Sequence, residues 1–119
     1  MARIFIVDDS PTEIHVLTAM LEKSGHEVES ADNAESGIEQ ITARQPDLIL
    51  MDVVMPGMNG FQATRALTKA PETTKIPIII VTTKDQETDK MWGLRQGAKD
   101  YITKPVDETV LNDKLNALL

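Results

Sequence analysis

Two adjacent carboxylates, Asp8 and Asp9, directly follow the apolar run IFIV at residues 4–7. Like charges at close range repel, and burying either one is costly unless a cation or hydrogen bonds compensate. Helix capping does not require them, because the next residues, SPTE at 10–13, already form a complete capping pattern. The acidic pair therefore indicates either a site for a hard cation such as Mg²⁺ or an acidic loop in solvent.

Asp52, Thr82 and Lys104 each follow an apolar run elsewhere in the chain. Asp52 ends an uninterrupted apolar stretch, which favours a functional carboxylate over a loop residue. Taken alone, Thr82 could reflect only the strand preference of threonine, and Lys104 could be a solvated surface lysine. If the runs are neighbouring strands of a parallel sheet, all five polar side chains meet at one edge, which favours a shared site.

The residue types in this set suit phosphoryl transfer. Asp9 and Asp52, helped by Asp8, could hold Mg²⁺ and leave coordination positions open for a phosphoryl group. A carboxylate beside the metal ion could attack phosphorus and form an acyl phosphate. The ammonium group of Lys104 would neutralise phosphoryl oxygens, and Thr82 would donate a hydrogen bond to one of them.

Five short apolar runs alternate along the chain with five longer stretches of helical periodicity. The predicted strands are residues 4–7, 28–31, 48–51, 76–81 and 101–102. The apolar positions of the predicted helices are Ile14, Leu17 and Leu21; Ala34, Ile38 and Ile41; Phe61, Thr64 and Leu67; Met91 and Leu94; and Leu111, Leu115 and Leu118. We expect Gly25 and Gly97 to end the first and fourth helices, and Asp107 to cap the fifth.

Strands that are apolar on both faces and alternate with helices predict an α/β fold, in which helices cover both faces of a parallel sheet. The whole chain, residues 1–119, is expected to form one domain. Ligands of such sheets bind beyond the carboxyl ends of the strands, where the five polar residues are predicted to lie. We also expect the Lys104-Pro105 peptide bond at this edge to be cis.

The composition argues against several classes of function. The net charge of −7 disfavours binding to nucleic acid or to an anionic membrane surface. The absence of cysteine excludes disulfide and thiolate chemistry and fits a reducing compartment. The apolar runs are too short to span a bilayer and the first is too short for a signal peptide, so we expect a cytoplasmic protein. We expect His15 and His26 at the surface and the six methionines in packing roles.

Together these motifs resemble the receiver domains of two-component response regulators. The likeness covers the whole chain and rests on VDDS at 7–10, LMDVVMPGMNG at 50–60, VTT at 81–83 and DYITKP at 100–105. The resemblance implies a flavodoxin-like, doubly wound (βα)5 fold with five parallel strands in the order 2-1-3-4-5. It also implies phosphorylation by a sensor histidine kinase in the presence of Mg²⁺.

The same resemblance implies a role for each residue of the set. Asp52 would be the phosphoacceptor, with Thr82 and Lys104 as contacts of the phosphoryl group. The Mg²⁺ ligands would be Asp8, Asp9, Asp52 and the backbone carbonyl of Val54. Tyr101 would be the aromatic residue that turns inward when Thr82 moves, which would shift the fourth helix, the fifth strand and the fifth helix.

Two positions depart from the pattern of the chemotaxis regulators in this family. Val54 stands two residues after Asp52, and Lys84 two residues after Thr82, where those regulators carry polar and acidic residues. These positions flank the path of the water that hydrolyses the acyl phosphate in the family. Because the apolar Val54 cannot orient water and Lys84 could pair with a phosphoryl oxygen, we predict slower hydrolysis than in the chemotaxis regulators.

The output is expected to be an interaction, because the sequence ends with the fifth helix. Such a receiver acts by docking on a downstream protein, which the sequence does not identify, or by draining phosphate from a kinase. We expect a monomer before phosphorylation. Residues 82–106 resemble a subgroup of type IV pilus and twitching-motility chemosensory systems. Within this segment, Trp92 is either a half-exposed packing residue or a docking anchor.

Two other functions stay open at this point. A Mg²⁺-dependent phosphatase or phosphotransferase could also form an aspartyl phosphate, but such enzymes usually need a second acid and a cap, whereas Val53 and Val54 follow Asp52. A receiver that has lost phosphorylation could serve as a binding module, although the complete polar set argues against this. We therefore expect a regulator that catalyses only its own phosphorylation and dephosphorylation.

Overall fold

The computed structural model describes residues 1–119 and contains five strands that alternate with five helices. The strands are β1 (Arg3–Val7), β2 (Glu27–Ala31), β3 (Leu48–Met51), β4 (Ile78–Thr82) and β5 (Asp100–Thr103). The helices are α1 (Pro11–Lys23), α2 (Ala34–Arg44), α3 (Gly60–Lys69), α4 (Glu87–Arg95) and α5 (Glu108–Leu118). All five predicted strands and all five predicted helices are present.

The strands form one parallel sheet in the order β2-β1-β3-β4-β5, which confirms the predicted doubly wound fold. Strand β1 pairs with both β2 and β3, so the direction of the crossovers reverses at β1. In sheets of this kind a crevice opens beyond the carboxyl ends of the strands at the reversal. The fold therefore places its natural binding site between the ends of β1 and β3.

Helices cover both faces of the sheet, and each face has its own apolar layer. Leu48 and Leu50 of β3 point to one side and pack in a cluster with leucines of α1 and α5. Ile49 and Met51 point to the other side and pack with residues of α2 and α3. Since successive strand residues alternate between faces, a strand that is apolar throughout is buried on both sides, as the sequence predicted.

Strand β4 differs from its prediction at both ends. It was predicted at residues 76–81 and runs from Ile78 to Thr82. Pro77 has no N–H to donate to a strand ladder, so regular pairing begins after it. Thr82 continues the strand because it pairs in register with Thr103 of β5. Directly after β5, the Lys104-Pro105 peptide bond is cis, as predicted.

The N-terminus of α1 does not form the complete capping pattern that the sequence predicted. The Ser10 hydroxyl accepts a hydrogen bond from the Glu13 N–H at 3.3 Å, as a cap should. The Ser10 N–H, however, donates to Asp8 Oδ1 at 2.9 Å and not to the Glu13 carboxylate. Asp8 has taken the donor that the capping box would use, which leaves the Glu13 side chain free for another contact.

Helix α4 corrects a second prediction, because its apolar residues do not face the core. Met91 and Leu94 were expected to pack inward, but they are 60% and 47% exposed. The buried residue of α4 is Gly93, where an added Cβ would come within 2.6 Å of Ile80 and 3.3 Å of Tyr101. Glycine allows the helix to approach the sheet so closely that the larger neighbours are turned toward solvent.

The other helix ends follow the prediction. Gly25 and Gly97 have φ angles of +88° and +116°, which suit glycine at the ends of α1 and α4. The Asp107 side chain caps α5 by accepting a hydrogen bond from the Val110 N–H.

The histidine and methionine predictions are only partly correct. His15 is exposed, but His26 is half-buried, and its Nδ1 accepts a hydrogen bond from the Ala2 N–H at 3.1 Å. Met51 and Met55 are buried in packing roles. Met1 is fully exposed, as Met91 largely is, because neither lies over an apolar layer.

Candidate functional site

Backbone hydrogen bonds extend the sheet by one residue at three strand ends and hold the candidate side chains at one edge. The Asp8 N–H donates to the Ala31 carbonyl at 3.1 Å, and the Asp52 N–H donates to the Val7 carbonyl at 2.9 Å. The Lys104 N–H donates to the carbonyl of Thr82 at 2.8 Å. Asp8, Asp52 and Lys104 are therefore positioned by the ladder itself and not by flexible loops.

Three carboxylates converge at this edge. Asp8, Asp9 and Asp52 each offer an oxygen, and these oxygens all lie within 4.8 Å of one another. Asp8 is 1% and Asp52 is 7% exposed, whereas Asp9 is open to solvent. Two buried carboxylates with an exposed third at the entrance form a set of hard oxygen donors, which fits a divalent cation such as Mg²⁺.

The Lys104 ammonium group compensates part of this negative charge. Its Nζ lies 2.8 Å from Asp8 Oδ2, 3.4 Å from Asp52 Oδ2 and 3.8 Å from Glu13 Oε2. Burial of the Lys104 side chain acts to lower its pKa, but the Asp8 hydrogen bond and the three carboxylate charges outweigh burial and raise it above its usual value. Lys104 is therefore a permanent cation in contact with two of the predicted ligands.

Asp8 experiences the opposite balance. Burial raises the pKa of the Asp8 carboxyl and outweighs the hydrogen bonds from Lys104 and the Ser10 N–H, while the charge of Asp52 acts in the same direction as burial. The carboxylate form of Asp8 is thus incompletely compensated by its protein neighbours. A cation at this position would supply the missing compensation.

Asp52 is held in a fixed orientation. Its Oδ1 accepts a hydrogen bond from the Val53 N–H at 2.7 Å, while Oδ2 faces Lys104. The start of α3 presses against its backbone, because a Cβ at Gly60 would overlap the Asp52 carbonyl oxygen. The Gly60 N–H donates to the Val53 carbonyl at 3.0 Å. Val54, two residues after Asp52 in the chain, is 55% exposed.

Thr82 and Tyr101 both bond to the backbone of one residue, Lys84. The Lys84 N–H reaches Thr82 Oγ1 at 3.5 Å, a long contact, and the Tyr101 hydroxyl donates to the Lys84 carbonyl at 2.8 Å. Thr82 is fully buried and Tyr101 is 8% exposed. Burial, followed by the charges of nearby aspartates, raises the pKa of Tyr101 to about 12. The backbone of Lys84 thus links Thr82, the predicted phosphoryl contact, to Tyr101, the predicted switch residue.

Trp92 lies apart from the acidic edge. It is 49% exposed on the outer side of α4, where its neighbours include residues of α3. The structure therefore brings together six of the predicted residues, and Trp92 belongs to a different surface. The six are Asp8, Asp9, Asp52, Thr82, Tyr101 and Lys104.

Sequence reasoning missed two residues of this site. Glu13 was assigned to helix capping, yet its carboxylate lies near Lys104 because Asp8 accepts the Ser10 N–H. Glu13 lies in the first turn of the helix that follows the acidic pair, and this position could have indicated that it lies near the site. Gly60, which permits the close contact of α3 with Asp52, was noted only as part of a motif.

The sequence and the structure both match response regulators. A sequence model described as the response regulator receiver domain matches residues 4–116. The chain is 66% identical to Protein PilH of Pseudomonas aeruginosa over 119 residues, which cover 100% of this chain and 98% of that protein. It is 38% identical to the response regulator PleD of Caulobacter vibrioides over 117 residues, which cover 98% of this chain and 26% of PleD.

Solved structures with the same architecture include the chemotaxis protein CheY4 of Vibrio cholerae. That structure has a TM-score of 0.92 and 29% identity, and the match covers 100% of this chain and 99% of CheY4. A putative response regulator from Chloroflexus aurantiacus has a TM-score of 0.94 and 30% identity, with 98% of this chain and 96% of that chain covered. None of the helices here is long and apolar enough to cross a membrane. The chain belongs to the response regulator receiver domain family.

Proposed function

We propose that this receiver accepts a phosphoryl group on Asp52 from the phosphohistidine of a sensor histidine kinase. The observation that carries the proposal is the position of Lys104 Nζ, which lies 2.8 Å from Asp8 and 3.4 Å from Asp52 at the edge where three carboxylates meet. A cation fixed beside a potential nucleophile and an acidic group that could hold a metal ion is an arrangement that suits phosphoryl transfer. As a receiver domain, the protein is a regulator and not a conventional enzyme.

The proposal includes Mg²⁺ held by the three carboxylates and by the backbone carbonyl of Val54. Their oxygens fit this ion, because Mg²⁺ prefers hard oxygen ligands and is commonly bound by one or two carboxylates together with water and phosphate. When bound, Mg²⁺ would offset the negative charge of the phosphoryl oxygens. The ligands in this proposal are Asp8, Asp9, Asp52 and Val54.

In the transfer step, an oxygen lone pair of the Asp52 carboxylate forms a bond to phosphorus. The bond between phosphorus and the kinase histidine nitrogen breaks, and its electron pair returns to the imidazole ring. The Val53 N–H orients the carboxylate for this attack through its 2.7 Å hydrogen bond to Oδ1. Lys104 stays protonated, since its pKa is raised, and its ammonium group turns from the carboxylates toward a phosphoryl oxygen.

The response to phosphorylation would begin at Thr82. Its contact with the Lys84 N–H is long, at 3.5 Å, so a phosphoryl oxygen that accepts a hydrogen bond from Oγ1 can compete for the side chain. Because the Lys84 N–H contacts the Thr82 hydroxyl, movement of Thr82 would also move Lys84. This would alter the hydrogen bond that the Lys84 carbonyl accepts from Tyr101. The population would then shift toward a packing in which α4 lies differently on the sheet.

This function would belong to a pilus or twitching-motility chemosensory system. The support is the subgroup likeness of residues 82–106 and the 66% identity with Protein PilH. Within the proposal, residues 1–119 act as one receiver domain, monomeric before phosphorylation and located in the cytoplasm with its kinase. The output is docking on a downstream protein or withdrawal of phosphate from the kinase, without contact to nucleic acid or membrane.

The test is to incubate the protein with Mg²⁺ and a small acyl-phosphate donor and to measure intact mass. We expect one added phosphoryl group on the native protein, and none on the Asp52→Asn variant or after EDTA treatment. An adduct that persists in Asp52→Asn would place the phosphoryl group elsewhere. No adduct under any condition would favour a binding module, and sustained turnover of phosphate esters would favour the phosphatase alternative.

A further inference from the structure

The surface formed by α3 and the C-terminal half of α4 carries a charge opposite to that of the chain; the two carboxylates of α4, Glu87 and Asp89, lie in its first turn. Residues 60–71 and 90–99 contain no carboxylate, although the whole chain has 19 against 12 lysines and arginines. Four exposed cations of these segments form no ion pair: Arg65, Lys69, Arg95 and Lys99. Apart from these four cations, the chain contains 8 cations and 19 carboxylates. We call the surface around the four unpaired cations the basic island.

The sequence spacing arranges these cations in two rows that begin with aromatic residues. On α3, Arg65 and Lys69 follow Phe61 at intervals of four residues, which places the three on one side of the helix. On α4, Arg95 follows Trp92 at an interval of three residues, and Lys99 comes four residues later in the chain, after Gly97 has ended the helix. Each row therefore begins with an aromatic residue and continues with two cations.

A groove of about 420 Å³ separates the two rows. Its lining residues are Asn59, Phe61, Gln62, Arg65, Trp92 and Gln96. Near Gly97 the two helical segments are close together, because a Cβ at Gly97 would overlap the Thr68 side chain. A second hollow of about 160 Å³ lies on the other side of Trp92 and includes Arg95. The Trp92 indole thus forms a wall shared by two hollows, each with a guanidinium group in its lining.

We propose that this groove, the α3–α4 groove, binds an acidic segment of a partner protein that carries an apolar anchor residue. Carboxylates of the segment would pair with Arg65 in the groove and with Arg95 in the hollow beyond Trp92, because planar guanidinium groups suit bidentate contacts. The anchor would cover the half of Trp92 that is exposed to solvent. Buried tryptophan and arginine residues supply a large share of the binding energy at protein interfaces.

The charge pattern selects a protein segment over nucleic acid. A phosphate backbone extends beyond four cations and would meet the carboxylates that surround the basic island, which repel it. An acidic peptide segment can confine its charge to the groove. The side-chain NH2 groups of Gln62 and Gln96 can donate to its backbone carbonyls, while their oxygens accept from the Asn59 N–H and from Arg65. The surface is also separate from the acidic edge, so this proposal does not depend on phosphorylation.

Trp92 is the only tryptophan of the chain, so its fluorescence reports directly on the groove. The probe is a synthetic peptide that alternates pairs of Asp or Glu with single Leu residues and contains no aromatic residue. We expect a saturable change in Trp92 fluorescence, with weaker binding at high salt. Arg65→Glu with Arg95→Glu should weaken binding by about tenfold or more. Trp92→Ala, measured by calorimetry, should also weaken it.

The matched control reverses the same amount of charge at Lys23 and Lys75, which lie outside the two rows, and should bind the peptide like the native protein. Circular dichroism and the midpoint of urea unfolding confirm that each variant is folded. Absence of saturable binding, or equal binding by the Arg65→Glu, Arg95→Glu variant, overturns the proposal. Tighter binding of an oligothymidylate would assign the groove to nucleic acid. Concentration-dependent dimers that the arginine variant abolishes would assign it to a second copy of the chain.

Discussion

Helices α1 and α4 both begin close after strand ends that contribute to the candidate site, but they are attached to the sheet in different ways. Helix α1 buries Leu17 and Leu21 completely, and a buried leucine contributes about 1.5–3 kcal/mol. The only buried residue of α4 is Gly93, which brings the backbone close but removes little apolar area from water. The acidic half of the site therefore adjoins a helix that is held by buried leucines. The Thr82 half adjoins a helix whose displacement would cost little free energy.

The residues just before each helix show the same difference. Before α1, the Ser10 N–H is fixed by the buried Asp8 carboxylate at 2.9 Å. Before α4, the Gln86 N–H meets the Asp89 carboxylate at 3.3 Å, and the same carboxylate lies 3.9 Å from Lys84 Nζ. These later contacts are longer and lie in solvent, where they contribute little. The proposed function would use this division, because the site would be held in place while α4 shifts on the sheet.

The largest expected effect compares one leucine from each helix. Leu21→Ala should lower the free energy of unfolding by about 2–5 kcal/mol, since it leaves a cavity in a fully buried cluster. Leu94→Ala should change it by no more than about 0.5 kcal/mol, since that side chain is 47% exposed. Urea unfolding followed by circular dichroism measures both. Equal losses would show that α4 is anchored as firmly as α1.

The second prediction concerns Tyr101, the only tyrosine, which packs beneath α4. Its phenolate absorbance should titrate at about pH 12 in the native protein and near the ordinary value of 10.0 in concentrated urea. The raised pKa means that folding favours the neutral phenol. The stabilisation from this group is complete below about pH 10 and is lost as the pH rises through about 12.

A native midpoint close to the ordinary value would mean that Tyr101 is already exposed in the unphosphorylated protein. Helix α4 would then be loose enough to open by itself, and the contrast with α1 would be sharper than the structure indicates. The Tyr101→Phe variant is the control, because it should show no phenolate signal at any pH.

The third prediction tests the glycine that allows α4 to approach the sheet. In Gly93→Ala, the new methyl group would meet the end of the Ile80 side chain at 2.6 Å and the Tyr101 ring at 3.3 Å. Crowding of this kind costs about 1–3 kcal/mol, and the better helix propensity of alanine returns about 1 kcal/mol. We expect a net loss of about 1 kcal/mol in urea unfolding, together with a lower pKa for Tyr101. A more stable variant with an unchanged tyrosine titration would show that a methyl group fits between α4 and the sheet without displacing the helix.

The sequence predicted the acidic edge well, because the apolar runs that reveal the strands also determine where the polar residues after them lie. Apolar runs locate the buried strands, and parallel strands bring the residues that follow them, such as Asp8, Asp52 and Lys104, to one edge. The orientation of α4 was predicted wrongly. The spacing of Met91 and Leu94 suggested an inward face, whereas the true inward residue, Gly93, has no hydrophobic side chain to reveal it.

Glu13 escaped prediction for a related reason. Its spacing from Ser10 fits a capping box, and only the three-dimensional contact between Asp8 and the Ser10 N–H shows that the N–H that Glu13 would accept from is already bonded. Local patterns therefore identify what a side chain can do. Competition between neighbours decides which of those contacts it makes.

The smallest expected effect concerns the lifetime of the phosphoryl group, at the boundary between the two regions. Val54, two residues after Asp52 in the chain, is 55% exposed, and the side chain of Lys84, 44% exposed, makes only a long pair with Asp89 at 3.9 Å. An apolar side chain cannot orient the attacking water, and a free ammonium group can shield a phosphoryl oxygen. Val54→Asn with Lys84→Glu should therefore lose phosphate about threefold to fivefold faster, equivalent to about 1 kcal/mol or less in activation free energy.

The measurement is the decay of the intact-mass adduct after removal of the donor, with Mg²⁺ kept constant. Lys75→Glu, which changes the charge of an exposed lysine away from the site, is the control and should decay at the native rate. Slower decay in the double variant would mean that water reaches the acyl phosphate from another side.

Because Lys84 also bonds Thr82 and Tyr101 through its backbone, separate single variants are needed. If Val54→Asn alone accounts for the acceleration, hydrolysis is controlled from the acidic half of the site. If Lys84→Glu accounts for it, hydrolysis is controlled from the Thr82 half.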